Sequence, residues 1–138
     1  MRMLLVLTMA CAWSLTAQAP ETFKTRLSPV PVDAKTRGDI TGVGSVTATL
    51  TGAKLSITGS FEGLRSQALD AKVHQGPATG VRGPAILDVA VPHATSGAVS
   101  ATLDLTPQQI ESLKKGQLYI QIDSEKAPDG NLWGWLLR

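Results

Sequence analysis

The sequence contains almost no cysteine. Cys11 is the only one among 138 residues, and it lies in an apolar stretch near the N-terminus. This excludes a disulfide-held scaffold, which is the usual solution for small exported domains. A domain of about 120 residues buries roughly two-thirds of its unfolded surface, so we expect a hydrophobic core alone to hold the fold.

The sequence also lacks a long hydrophobic run. Its apolar stretch, residues 3–16, is shorter than the roughly 20 residues that a membrane-spanning helix needs. Arg2 precedes this stretch and the small-residue segment Ala17-Gln18-Ala19 follows it, which is the pattern of a cleaved signal peptide. The sequence therefore predicts a signal peptide over residues 1–19, a mature chain over residues 20–138, no membrane span, and a periplasmic or secreted location.

Neither sign of charge dominates the chain. Thirteen Lys and Arg residues stand against 11 Asp and Glu residues, and aromatic residues make up only 4% of the sequence. No basic stripe with interleaved aromatic residues occurs, so nucleic acid is not an expected partner.

Arrangements typical of an enzyme are missing as well. His93 shares a predicted loop with Ser96, but the sequence has no Gly-x-Ser-x-Gly motif and no acidic residue placed to orient the histidine. Asp123 and Glu125 share a predicted strand face, but nothing in the sequence indicates the cleft that a pair of glycosidase carboxylates requires. We therefore predict a protein that is not an enzyme and that has no cofactor.

Alternation of polar and apolar residues dominates the rest of the chain. The pattern is strict from Ser45 to Thr51 and resumes after Gly52, which predicts a hairpin with one buried and one wet face. About eight such segments follow one another at nearly regular spacing, and the last is expected over residues 131–137. The sequence predicts one all-β domain, an antiparallel Greek-key β-sandwich that is either immunoglobulin-like or a partly closed barrel.

A single short helix is expected between two of the strands. Thr106 can act as the N-cap, Pro107 fits the first helical position, and Gln109 completes a capping box. Gly116 suits the left-handed stop at the C-terminal end. The spacing predicts a connecting helix of about two turns.

A strand in the middle of the chain carries several ionisable residues. Alternation places Asp70, Lys72 and His74 on one face of this strand, and a loop rich in glycine and proline follows over residues 76–84. His74 is the only histidine in a predicted regular element. This polar face is therefore the first candidate for function.

Three segments are similar in order and spacing to a known family. Residues 23–32 form an aromatic strand with a Leu-Ser step and a proline–valine stretch. Residues 72–76 correspond to a His-x-His-x-Gly strand end, and residues 119–136 to a Tyr-x-x-x-His strand and a glycine-bounded last strand. In these features residues 20–138 resemble the chordin-type CHRD domain family. The resemblance implies an exported, non-catalytic binding module.

The resemblance also bears on metal binding. In the family pattern three histidines could meet on neighbouring strands, but here Lys72 and Asp123 occupy two of those positions and only His74 remains. Zinc and copper sites normally have three or four ligands. We therefore expect Asp123 to form a polar pair with His74 or Lys72. The alternative function is a copper- or zinc-handling or redox-accessory domain, with His74 and Asp123 as metal ligands.

The last strand contains two of the three tryptophans. With Leu132, Gly134 and Leu136 facing inward, Trp133 and Trp135 point outward and lie about 6.5–7 Å apart. Exposed indole rings of this kind stack on sugars or dock partner proteins. The alternatives are that a loop or the C-terminal residues cover the rings, or that the tryptophans form the core and the leucines face outward.

These observations together predict one outer sheet face that binds a protein or a glycan, in a protein that acts as a monomer. The residues of this predicted face are Lys72, His74, Tyr119, Gln121, Asp123, Trp133 and Trp135.

Overall fold

A computed structural model describes residues 19–138 of the chain. The signal peptide predicted over residues 1–19 lies outside the described residues except for Ala19, and Cys11 lies outside them too. The strands are β1 (Glu21–Pro29), β2 (Val43–Thr51), β3 (Lys54–Glu62), β4 (Ala68–Gln75), β5 (Ala85–Val89), β6 (Gly97–Asp104), β7 (Leu118–Ser124) and β8 (Leu132–Trp135). The helix is α1 (Pro107–Lys114), between β6 and β7.

The strands form one antiparallel sheet that almost closes on itself. Their order is β5-β4-β7-β8-β1-β2-β3-β6. The two end strands meet at an isolated bridge between Ala90 and Ser100, where the two backbone N–H···O distances are 2.8 and 3.1 Å. The predicted all-β fold is confirmed, and of the predicted forms the structure shows the partly closed barrel.

The interior of the barrel is filled by the apolar half of each alternating strand. On β2, Val46, Ala48 and Leu50 are buried, whereas the residues between them are at least partly exposed. Burying one large aliphatic side chain stabilises the fold by about 1.5–3 kcal/mol relative to leaving it in water. The largest buried side chains of this core are Phe23, Leu27, Val46, Leu55, Ile57, Leu113, Leu118, Ile120, Ile122, Leu132 and Leu136.

Helix α1 begins with the predicted capping box. The Gln109 N–H donates to Thr106 Oγ1 at 3.1 Å, and the Thr106 N–H donates to Gln109 Oε1 at 3.0 Å. Leu113 attaches the helix to the core and is fully buried. The helix has eight residues, and within residues 19–138 no helix is long and apolar enough to cross a membrane.

The turn between β7 and β8 contains a glycine that no other residue replaces easily. Gly130 has a φ of +134°, which side chains rarely adopt. A Cβ atom at this position would lie 3.0 Å from the amide nitrogen of Gln121. The turn can therefore close directly over the Gln121 side chain, which belongs to the candidate site.

The last strand is shorter than predicted. Residues 131–137 were expected to be extended, but β8 spans only Leu132–Trp135. The Leu136 N–H still donates to the Leu118 carbonyl of β7 at 3.0 Å, whereas the Leu137 carbonyl accepts from the Lys24 N–H of β1 at 2.9 Å. Beyond Trp135 the regular pairing stops, and Leu137 keeps only an isolated bridge to Lys24 of β1.

Candidate functional site

The predicted face lies on three neighbouring strands, β4, β7 and β8. The apolar residues that alternate with it, such as Ile120 and Ile122, point into the core and are fully buried. The register sets the outward residues in three rows across the sheet. These rows are His74–Tyr119–Trp135, Lys72–Gln121–Trp133 and Asp70–Asp123.

Four of these side chains form an aromatic cluster, defined as His74, Tyr119, Trp133 and Trp135. Tyr119 is its centre: its ring stacks on His74 at 4.9 Å between centroids and lies 4.4 Å from Trp135 and 5.7 Å from Trp133. The two indole rings meet at 5.9 Å with an angle of 68° between their planes. Edge-to-face packing of this kind is the arrangement that aromatic quadrupoles favour.

The glycine loop after β4, residues 76–84, covers one side of the cluster. The Tyr119 hydroxyl accepts from the Gly83 N–H and donates to the Gly83 carbonyl, both at 3.1 Å. A Cβ atom on Gly76 would lie 2.9 Å from the Trp135 ring, so the loop backbone passes very close to the indole. Tyr119 is 1% exposed and therefore supports the face from below, so the prediction that it lies on the surface is wrong.

Two ring nitrogens beneath this loop are buried without a hydrogen-bond partner among the described residues. They are His74 Nε2 and Trp135 Nε1. His74 Nδ1 lies 3.0 Å from the Gly83 carbonyl oxygen. A carbonyl only accepts, so Nδ1 carries a proton in this contact.

Trp133 has a different environment from Trp135. It is half-buried and packs against a small cluster of Val30, Ile40 and Ala127. The Arg82 guanidinium lies over the indole, 5.4 Å from the ring centroid, and its Nη1 donates to the Asp129 carbonyl at 3.4 Å. Arg82 and that apolar cluster also line a neighbouring cavity of about 300 Å³.

The third row is a carboxyl pair, Asp70 and Asp123. Burial raises the pKa of Asp123 to about 7, and a hydrogen bond and like-charge repulsion from Asp70 act in the same direction. The Gln121 amide, which donates to Asp123 Oδ1 at 2.9 Å, and the positive charge of Lys72 oppose this increase. Lys72 itself lies 3.9 Å from Asp88 on β5, an exposed ion pair of little energetic weight.

The register separates the two residues considered as metal ligands. His74 lies opposite Tyr119, and Asp123 lies opposite Asp70, four residues away along β4. At about 3.3 Å per residue this separation is about 13 Å, too far for one ion to be shared. Asp123 is therefore paired with Asp70 and not with His74 or Lys72. Within residues 19–138 no group of three or more His, Cys, Asp or Glu side chains is placed to hold a metal ion.

Two features of this site do not follow from the sequence: the position of Arg82 and the partner of Asp70. Arg82 lies in a loop without periodicity, and nothing in the sequence indicates that it returns over Trp133. Asp70 was placed on the polar face of its strand, but its pairing with Asp123 depends on the register between β4 and β7. That register shifts beside Asp70, which no alternation pattern reveals.

Comparison with known protein families gives one match. The CHRD domain model matches residues 23–136, which is most of the chain and includes the whole candidate site. No curated protein and no solved structure matches the sequence. The protein therefore belongs to the CHRD domain family.

Proposed function

We propose that this protein is an exported, non-catalytic binding module that acts as a monomer and docks a partner protein on its tryptophan face. The tryptophan face is defined as Trp133, Trp135 and Arg82. Membership of the CHRD family supports the general part of this proposal, because CHRD domains are extracellular-type binding domains. The specific part depends on the geometry of the face.

The observation that carries the proposal is the contact among two half-buried indole rings and one guanidinium. Trp133 and Trp135 touch each other, and Arg82 lies over Trp133. Tryptophan, tyrosine and arginine are the residues most enriched among the hot spots of protein–protein interfaces. Here they are concentrated on one sheet face of a chain with few aromatic residues.

The face is also held in place before any partner arrives. Tyr119 packs against both indole rings from below, and its hydroxyl is fixed by the backbone of Gly83. A surface that is already ordered loses less conformational entropy on binding than a flexible one. This rigidity favours a function in recognition.

The geometry favours a protein over a glycan as the partner. Stacking on a sugar requires a flat and open ring face, but the two indole planes stand at 68° to each other. Arg82 further covers one face of Trp133. Two indole rings at an angle, with a guanidinium over one of them, suit the irregular surface of a protein better than the plane of a sugar ring.

Affinity capture with the mature chain, residues 20–138, tests the proposal. The exported proteins of the source cell serve as prey, and the captured protein is then purified and titrated by calorimetry. Trp133→Phe and Arg82→Ala are each expected to weaken binding at least tenfold, which corresponds to about 1.4 kcal/mol. Thermal unfolding of each variant checks that the fold is retained.

Val43→Ala is the matched control, because Val43 is an exposed apolar residue of β2 on another part of the barrel. Its affinity for the purified partner should equal that of the unmodified chain. Binding that Trp133→Phe and Arg82→Ala leave unchanged would refute the proposal. Capture of carbohydrate alone would show that the partner is a glycan.

A further inference from the structure

The carboxyl pair has an arrangement that two ionised side chains cannot satisfy. Asp70 and Asp123 stand directly opposite each other on β4 and β7, and Asp70 Oδ1 is buried with no donor facing it among the described residues. A carboxylate oxygen only accepts hydrogen bonds, so two carboxylates side by side have no proton to share. Like charges directly opposite each other on a sheet are also destabilising. One proton shared by the two carboxyl groups supplies the missing hydrogen-bond donor and removes one of the two negative charges.

The surrounding elements provide little positive charge to replace that proton. On β4, Lys72 shares the face, but its ammonium also lies close to Asp88 of β5. The outward residues of β8 are tryptophans and carry no charge. The turn after β7 contributes the exposed residues Glu125, Lys126 and Asp129, which together add one negative charge. Gln121 of β7 contributes one neutral N–H to Asp123. The raised pKa of Asp123 agrees with this environment.

A chain of hydrogen bonds joins the carboxyl pair to the tryptophan face. Gln121 Nε2 donates to Asp123 Oδ1 at 2.9 Å and to the Asp129 carbonyl at 3.2 Å. The same carbonyl accepts from Arg82 Nη1 at 3.4 Å, and the Arg82 guanidinium lies over Trp133. Gln121 is 6% exposed and is packed against Gly130, so it has little room to turn away.

We propose that one proton shared by Asp70 and Asp123 holds Arg82 on Trp133, so that the tryptophan face binds its partner more tightly in mild acid than in mild base. When the proton leaves to solvent, the pair carries a second negative charge. The two carboxylates repel each other, and the added charge attracts the Arg82 guanidinium away from the indole. The effect of this switch on partner binding rests on the proposed function. The proton-dependent movement of Arg82 does not.

The intrinsic fluorescence of the mature chain tests the switch without any partner. Residues 20–138 contain only two tryptophans, Trp133 and Trp135, so the emission reports on this face alone. Titration from pH 5 to pH 9 should change the emission with a midpoint near 7, the pKa of Asp123. Asp123→Asn and Asp70→Asn each supply the missing donor permanently, so both variants should lose the transition.

His74 needs a separate control, because it stacks on Tyr119 and an ordinary histidine titrates in the same pH range. In His74→Gln the transition should persist with the same midpoint. A transition that survives in both Asn variants, or one that disappears in His74→Gln, would overturn the inference. Two Asn variants guard against the failure of one to fold.

The outcome for the switch can be told apart from the outcome for the proposed function. An emission that does not depend on pH overturns the switch but leaves partner binding through Trp133 intact. Loss of the proposed function would instead appear as partner binding that is unaffected by Trp133→Phe.

With the purified partner, the unmodified chain should bind several-fold more tightly at pH 6 than at pH 8, and Asp123→Asn should bind equally at both. Equal binding by the unmodified chain at both pH values would refute the regulatory part of the inference.

Discussion

The barrel has two contrasting outer faces. On β1, β2, β3 and β6 the outward residues are mostly serine and threonine, in rows such as Lys24–Thr47–Thr58–Ser100. The nine residue pairs between β2 and β3 follow one another without a register shift. On β4, β7 and β8 the outward residues are aromatic, acidic or basic, and the pairing of β4 is interrupted beside Asp70 and again beside His74.

The contrast shows what the alternating pattern does and does not determine. On both faces outward residues alternate with buried ones, and the strands of both faces pack on the same core. On the hydroxyl-rich face each side chain reaches water and acts alone. On the aromatic face large side chains lie over one another, so that Tyr119 and Gln121 are buried although they point outward. Contacts between outward side chains are therefore concentrated on the second face.

The largest difference between the faces should appear in stability. Tyr119→Ala removes the ring at the centre of the aromatic cluster, and truncating a buried aromatic side chain costs about 3–5 kcal/mol. Thr58→Ala removes an exposed side chain on the other face and should cost less than about 1 kcal/mol. Urea unfolding of the two variants measures both values. Similar losses at the two positions would mean that the faces do not differ as described.

The second difference is in the dependence of stability on pH. The folded pKa of Asp123, about 7, exceeds the ordinary value of 3.8, so the folded chain keeps a proton that the unfolded chain releases. The free energy of unfolding should therefore fall as the pH rises from about 4 to about 7. Because Asp123 is partly exposed and screened by solvent, we expect a loss of about 1–2 kcal/mol, less than three full pKa units would give.

Unfolding experiments at pH 5 and pH 8 measure this slope. Asp123→Asn should flatten it, since the amide has no proton to lose. Thr58→Ala, on the hydroxyl-rich face, should keep the slope of the unmodified chain. An unchanged slope in Asp123→Asn would show that other groups cause the pH dependence.

The smallest expected effect concerns copper and zinc. Because the register holds His74 and Asp123 far apart, calorimetric titration of the mature chain with either ion should give no heat that depends on His74. The unmodified chain and His74→Ala should therefore behave alike. Stoichiometric binding that is lost in His74→Ala would contradict this prediction and restore the metal-handling alternative.

Sequence reasoning was sufficient where a property depends on near neighbours in the chain. The capping box at Thr106 and Gln109 follows from a spacing of three residues. The inward placement of Leu132, Gly134 and Leu136 follows from alternation. Both depend on short-range geometry that the backbone imposes on any sequence.

The remaining features depend on which strands meet and in which register. The pairing of Asp70 with Asp123 joins residues 53 positions apart, and it occurs beside a register shift. The position of Arg82 depends on the glycine loop after β4, which folds back over Trp133 of β8 near the C-terminus. Tyr119 is buried because three neighbouring rings and Gly83 surround it. A one-dimensional pattern contains none of this information.

The bridge between Ala90 and Ser100 has a consequence for self-association. A strand at the open edge of a sheet presents unpaired N–H and C=O groups to which another chain can add. Here the two end strands of the sheet turn toward each other, and the bridge joins Ala90, directly after β5, to Ser100 of β6. Within residues 19–138 the two edges of the sheet therefore face one another, which leaves less unpaired backbone open to another chain than two separate edges would.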